Sequence, residues 1–428
     1  MQTNFTLAQL ADPHFERSNE ILRNCVHCGF CTATCPTYQT LGDERDSPRG
    51  RIYLIRDMLE ADTAPAPAVV DHVDKCLSCL SCMTTCPSGV HYMHLVDHAR
   101  AFIQEKHKRP LLDRAIRQML GLILPHPRRM KLALTGAALA RPFAGLFSGR
   151  LRAMLDLAPK SPPKSDILSP RIYPAEGERK HRVALLTGCA QQVLDGDINA
   201  ATIRLLNRLG VEVVVAEGAG CCGALEHHMG REDPALIAVR ANVVAWNRER
   251  HGDGLDAIII NASGCGTMVK DYGHMMRNHP ALADSAEWVS SVARDITEFL
   301  SEIGLPADAS APDDLTIGYH SACSLRHGQK IIDPPKDLLK SAGFRVVEPA
   351  EAHLCCGSAG TYNIMQPDLA NQLKQRKLDN FARTDADIIA AGNIGCMTQL
   401  GEAGGLSVVH TVELLDWATG GPKPDKLN

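Results

Sequence analysis

The second half of the chain is punctuated by short apolar runs at residues 183–186, 211–215 (interrupted only by Glu212) and 258–260. Runs without polar alternation suit strands buried on both faces, as in a parallel sheet. Residues 199–209 and 234–248 lie between them and read as crossover helices. The same pattern then returns. Val183-Ala-Leu-Leu-Thr-Gly-Cys189 matches Thr316-Ile-Gly-Tyr-His-Ser-Ala-Cys323, and Gly220-Cys-Cys-Gly223 matches Leu354-Cys-Cys-Gly357. Asp256-Ala-Ile-Ile-Ile-Asn-Ala-Ser-Gly-Cys265 matches Asp387-Ile-Ile-Ala-Ala-Gly-Asn-Ile-Gly-Cys396. From single Cys to Cys pair the distance is 221 − 189 = 32 and 355 − 323 = 32. A fixed spacing of this kind marks a duplicated unit. Each copy is predicted to run strand, helix, strand, Cys-Cys-Gly loop, helix, strand, Cys. Ligands of a parallel sheet gather beyond the carboxyl ends of its strands. Cys189, Cys221, Cys222 and Cys265 should therefore converge, as should Cys323, Cys355, Cys356 and Cys396.

The first half lacks such strands and reads as helical. Residues 1–20 form a polar arm or short helix, Ser47 or Asp46 caps a helix beginning at Pro48, residues 63–67 form a loop, and residues 90–108 form a helix. Two cysteine blocks sit among these helices. Residues 25–36 and 76–87 each read C-x2-C-x2-C-x3-C-P, the spacing that holds [4Fe–4S] clusters in two-cluster ferredoxins. There the fourth cysteine of each run reaches the other cluster. The predicted ligand sets are Cys25, Cys28, Cys31 and Cys86 for one cluster, and Cys76, Cys79, Cys82 and Cys35 for its neighbour. Zinc sites favour separated pairs and fit this spacing poorly. Arg49 and Arg51, at the start of the Pro48 helix, either offset cluster charge or are solvated.

Composition narrows the class. At 428 residues, 45% hydrophobic and 22% charged, the chain is globular and expected to hold two or three domains. A net charge of −4 gives no reason to expect a nucleic-acid partner. No apolar run is long enough to span a membrane. Sixteen cysteines without a leader-like start suggest metal ligation in a reducing cytosol. Gly218-Ala-Gly-Cys-Cys-Gly223 fits a dinucleotide fingerprint, but the second copy lacks its first two glycines, so nucleotide binding is set aside.

Residues 114–155 carry eight Arg or Lys and no Asp or Glu, interleaved with Leu and Phe. Two readings stand. A basic amphipathic segment can lie on an anionic membrane, or its apolar face packs on the protein, the commoner fate of such helices. Prolines across 158–174 mark a linker.

The repeated Cys…Cys-Cys-Gly…Cys unit resembles the CCG cysteine-rich domain of heterodisulfide reductases. With the ferredoxin-type blocks and Ser47-Pro-Arg-Gly-Arg-Ile-Tyr-Leu-Ile55, the chain resembles iron–sulfur subunits of glycolate oxidases over residues 21–417. The resemblance implies an α+β multidomain fold. It comprises an all-α domain for two [4Fe–4S] clusters (1–110), a basic helical connector and Pro-rich linker (111–180), and two CCG α/β domains with small parallel sheets (181–305 and 306–428). It also implies flavin-containing partner subunits holding FAD, and an electron-transfer role with no catalytic residue in this chain. The implied acceptor is a quinone, with a peripheral place on the cytoplasmic face of the inner membrane. Heterodisulfide reductase domains end in C-x-x-C; here Ala262 and Asn393 replace the first Cys of that pair. Each pocket keeps four thiols, open to an iron–sulfur centre, to zinc or to redox thiol chemistry. His227, His228, His320 and His410 are candidate extra ligands or proton donors.

Overall fold

The computed structural model describes residues 1–163, 166–401 and 405–427. The front of the chain is helical: Pro13–Asn24, Pro36–Leu41, Pro48–Ala61, Pro67–Asp74, Ser81–Thr85 and Tyr92–Lys106 surround the two cysteine loops. Four of these begin with proline, whose fixed φ suits a first helical turn that needs no N–H. Ser47 rather than Asp46 caps the Pro48–Ala61 helix, its Oγ accepting from the Gly50 N–H at 3.0 Å. Gly50 is required there because a Cβ would lie 2.0 Å from the Glu44 carbonyl oxygen. One face of each long helix, through Leu22, Ile55, Leu59, Leu95, Val96 and Ile103, closes a small core between the loops.

The connector forms helices Leu111–Ile123, Pro127–Ala140 and Gly149–Leu157, with a 3-10 stretch Arg141–Leu146. Its prolines separate these pieces, as expected of residues that cannot continue a helix.

Nine strands build two sheets among the described residues. The first contains β1 (Arg171–Tyr173), β2 (His181–Leu186), β3 (Val211–Val215), β4 (Ala257–Ile260) and β5 (Ala293–Asp295), in the order β1-β3-β2-β4-β5. The second contains β6 (Thr316–His320), β7 (Arg345–Val347), β8 (Ile388–Ala391) and β9 (Ser407–His410), in the order β7-β6-β8-β9. All pairings are parallel except β1 on β3. The predicted strands 183–186, 211–215 and 258–260 form. β1 was not foreseen, because Pro170 and Pro174 bracket it and read as linker. Prolines are tolerated beside an edge strand of this kind.

The sheets share more than their ancestry. One continuous core runs from Val183, Leu185 and Leu206 of the first repeat to Ile317, Tyr319 and Leu415 of the second. Helix Asp197–Arg208 lies against the closing helix Thr411–Ala418. There Arg204 Nη2 donates to Asp416 Oδ2 at 2.6 Å and Arg208 also pairs with Asp416, whose carboxylate is 1% exposed. Removing one partner of a buried ion pair costs about 3–5 kcal/mol; Arg204 is partly exposed, so the lower end applies. Asp416→Ala is expected to destabilise the chain by about 3 kcal/mol. An unchanged urea midpoint would show that the two repeats do not depend on this contact.

Candidate metal centres

The two cysteine loops have the same backbone. Two and four residues after the leading cysteine, φ turns positive: His27 (57°) and Gly29 (85°) in one loop, Ser78 (49°) and Leu80 (61°) in the other. Left-handed positions bend the chain around a common centre, at a cost of about 1–2 kcal/mol for a residue such as Leu80. Each loop then ends on a cysteine with extended backbone, Cys35 (ψ 114°) and Cys86 (ψ 114°), which aims the fourth thiol away from the first three. The loops meet at Thr34 and Thr85, whose hydroxyls are 3.0 Å apart.

Two cavities lie between them. Cys25, Cys28, Cys31 and Cys86 line one, with Cys82 at its wall. Cys35, Cys76, Cys79 and Cys82 line the other. Each draws three thiols from one loop and one from the other. The donor chemistry fits a cubane cluster in each. Burial raises the thiols of Cys25, Cys79 and Cys82, and takes Cys31 up to about 11. Thiols so placed stay protonated alone and ionise when they bind metal.

Arg51 is the buried cation of the second cavity. Its guanidinium donates to the His72 carbonyl at 2.6 Å, Thr37 Oγ1 at 3.1 Å and Asp46 Oδ1 at 3.4 Å. Burial works against its charge, but Cys76, Tyr92, Cys35 and Asp46 hold its pKa above the ordinary arginine value. Arg49 instead lines the first cavity and pairs with Glu44 at 2.7 Å. Arg100 clamps the second loop, donating to the Cys76 carbonyl and to Ser78 Oγ, both at 2.6 Å. Sequence reasoning left Arg51 undecided and missed Arg100, which sits in an otherwise ordinary amphipathic helix.

The second loop presses on the second repeat. Leu77 and Cys79 pack with Cys355, Tyr362 and Cys323. Tyr362 Oη donates to the Lys75 carbonyl at 3.1 Å, and Thr84 Oγ1 lies 2.8 Å from His327 Nδ1. In the repeats the thiols converge as their strand-end positions require. Cys189 and Cys221 sulfurs are 3.5 Å apart, and Cys323 and Cys355 are 3.7 Å apart. Cys222 interacts with Cys265, and Cys356 with Cys396. The Gly218–Gly223 stretch leads into a helix of five residues with thiols at its start.

Between the two quartets is an apolar chamber of about 520 Å³. Seven of the eight repeat cysteines reach its wall, and the connector supplies Met119, Leu134, Phe147 and Met154 on the other side. The basic segment is thus a roof. Arg117 and Arg150 are tied to Asp113 at 3.0 and 2.7 Å. Leu132 (75%) and Leu146 (82%) remain exposed.

The candidate histidines part company. His227 and His228 lie 3.3 and 3.9 Å from Asp97. Against burial, Asp97 holds His227 above its ordinary value, whereas burial takes His228 down to about 4. His410 is an N-cap, its Nδ1 accepting from Val412 N–H at 3.1 Å and its Nε2–H donating to the Asn261 carbonyl at 2.8 Å. His320 alone stands with thiols: its ligand atom and those of Cys356 and Cys396 lie within 4.8 Å of one another. Burial takes it down to about 3, so the ring is neutral.

Comparison with known proteins agrees with this layout. Residues 21–90 match the model of a 4Fe-4S dicluster domain, and residues 183–270 and 317–401 match that of a cysteine-rich domain. The chain is 41% identical to the glycolate oxidase iron-sulfur subunit of Escherichia coli K12 across 98% of this chain and 99% of that one. It is 31% identical to the probable glycolate oxidase iron-sulfur subunit of Bacillus subtilis 168, with the same coverage. Lactate utilization protein A of Bacillus licheniformis is 25% identical over 241 residues, 55% of this chain and 99% of that one. A hypothetical protein from Helicobacter pylori has a similar fold, with a TM-score of 0.53 at 10% identity over 97% of this chain and 74% of the other.

Arg51→Met tests the electrostatics of the second cavity. Loss of the cation should make that cluster harder to reduce and cost about 3 kcal/mol of stability. Redox titration followed by EPR reads the first effect. A potential unchanged in the second cluster would remove Arg51 from its electrostatic role.

Proposed function

The chain belongs to the family of glycolate oxidase iron–sulfur subunits, and we propose that in such an enzyme it takes electrons from a flavin-bearing partner and passes them to a quinone-type acceptor at a membrane. The proposed ligands of the first cluster are Cys25, Cys28, Cys31 and Cys86, and of the second Cys76, Cys79, Cys82 and Cys35. When bound, [4Fe–4S] clusters supply one-electron steps, which lets a flavin's electron pair leave one electron at a time.

One observation carries this reading: an unbroken succession of cysteine groups from the surface to the chamber. Cys28 is exposed at the first cavity. Cys82 borders both cavities. Cys79 of the second cavity packs with Cys323 and Cys355, and these line the chamber. The outer end supports docking of the flavin partner, since Val26 (68%) and Phe30 (62%) are exposed beside Cys28. Isolated apolar residues need no explanation, but a pair beside an exposed ligand suits a partner surface. The inner end supports an apolar acceptor, because apolar walls favour a ligand that leaves water readily.

The roof of that chamber supports the membrane reading. Its exposed Leu132, Leu139, Phe143 and Leu146 are interspersed with Arg128, Arg129, Lys131 and Arg141. This combination suits an anionic lipid surface, with apolar side chains inserted and cations among the headgroups. Among the described residues no helix is long and apolar enough to cross a membrane. That exposed basic and apolar face supports reading the chain as a peripheral protein, for which the cytoplasmic face of the inner membrane is proposed. The substrate proposed for the complex is glycolate. The likeness to lactate utilization protein A supports lactate as a second reading, with the choice made in the flavin partner.

Cys79→Ala should remove the second cluster and abolish glycolate-to-quinone turnover, while the flavin partner of the same complex still reduces a dye with glycolate. Intact quinone turnover would refute the proposed electron route. Separately, Arg128, Arg129 and Lys131 changed together to Glu should release the complex from vesicles containing anionic lipid. Sedimentation with vesicles equal to the unaltered complex would return the segment to a purely packing role.

A further inference from the structure

The two cysteine repeats do not offer the same donors. Strand register aligns them without ambiguity. Leu186 stands opposite Ile260 across β2 and β4, and His320 stands opposite Ala391 across β6 and β8. Leu186 and His320 each precede the single cysteine by three residues, and Ile260 and Ala391 each precede the last cysteine by five. The first repeat thus fills this place with two branched apolar side chains. The second places an imidazole there and shrinks the residue opposite to alanine.

His320 is 1% exposed, and neither ring nitrogen has a hydrogen-bond partner. A buried polar group in this condition is a rare exception that calls for a missing partner. His410, equally buried, shows the ordinary solution, with both nitrogens engaged. What stands beside His320 is sulfur, from Cys356 and Cys396. These two complete the second quartet with Cys323 and Cys355.

A second difference concerns charge. Gly223 and Gly357 occupy the same place, each close to the carbonyl oxygen of an alanine, Ala235 and Ala370. Seven residues beyond these alanines stand Asn242 in the first repeat and Lys377 in the second. Lys377 is buried, its ammonium donating to the Glu351 carbonyl at 2.8 Å; burial lowers its pKa, and the nearby Cys356, Cys355 and Cys323 act against that lowering. A buried cation is warranted where thiolates leave a metal site negatively charged.

We infer that the second repeat holds a thiophilic metal centre whose donors are Cys323, Cys355, Cys356, Cys396 and the imidazole of His320, a mixed nitrogen–sulfur set that the first repeat does not have. Iron–sulfur and zinc centres share this donor chemistry. The inference does not depend on the acceptor or membrane proposed above.

The test uses the full-length chain purified without oxygen. Metal analysis should find iron or zinc beyond the about eight irons of two [4Fe–4S] clusters. If that metal is iron, pulsed EPR on protein labelled with 15N-histidine should show nitrogen coupling. If it is zinc, X-ray absorption should show a nitrogen shell beside the sulfur shell. His320→Leu, the residue of the first repeat, should lose the nitrogen signature, with the front-cluster EPR signals reporting that the chain is folded. Cys356→Ser should lose it too, and Cys222→Ser should keep it. Absence of metal beyond the front clusters overturns the inference. So does extra metal with no nitrogen donor in the unaltered protein, a result that needs no variant to fold.

Discussion

The structure turns on thiols that neither loop can gather by itself. Each four-cysteine cavity draws three sulfurs from one loop and one from the other. The two loops must therefore form together, and the helices around them are arranged to hold both. Burial raises the pKa of Cys25, Cys31, Cys79 and Cys82, so their ionisation depends on a bound metal. Metal binding and folding of the front domain are thus coupled, with Arg51 and Asp46 already buried as the charged lining of that site.

The same constraint orients the remaining domains. The second cysteine loop is held from inside by Arg100 and from outside by Tyr362 of the second repeat. That double grip sets Cys79 against Cys323 and Cys355. The repeats in turn share a core and the Asp416 ion pairs, so they cannot drift apart and open the chamber between their thiols. The connector closes what the repeats leave open. Its buried side, through Ile116, Leu120 and Met130, packs inward, while its other side remains apolar and exposed. The two readings of the basic segment therefore concern different faces of the same helices.

Duplication gave two pockets of one design, and the differences between them concern chemistry more than fold. Strand order and cysteine placement are kept. His320, Ala391 and Lys377 distinguish the second pocket, whose Cys323 and Cys355 pack against Cys79 of the front domain. Specialisation of one copy is what adjacency to an electron source would favour.

Much of this was legible in the sequence. Cysteine spacing identified the loops, because a metal cluster imposes a local geometry that few residue patterns satisfy. The period of the repeat, together with its apolar runs, gave parallel strands with thiols at their ends, since those strands must be buried on both faces. Tertiary structure decided the rest. β1 depends on an edge made available by β3, and the chamber exists only where two repeats and the connector meet. The roles of His227, His320 and His410 were indistinguishable as letters. They separate because Asp97, the Cys356–Cys396 pair and the Asn261 carbonyl lie far from them in the chain or on other elements, and only folding brings a side chain to its partner.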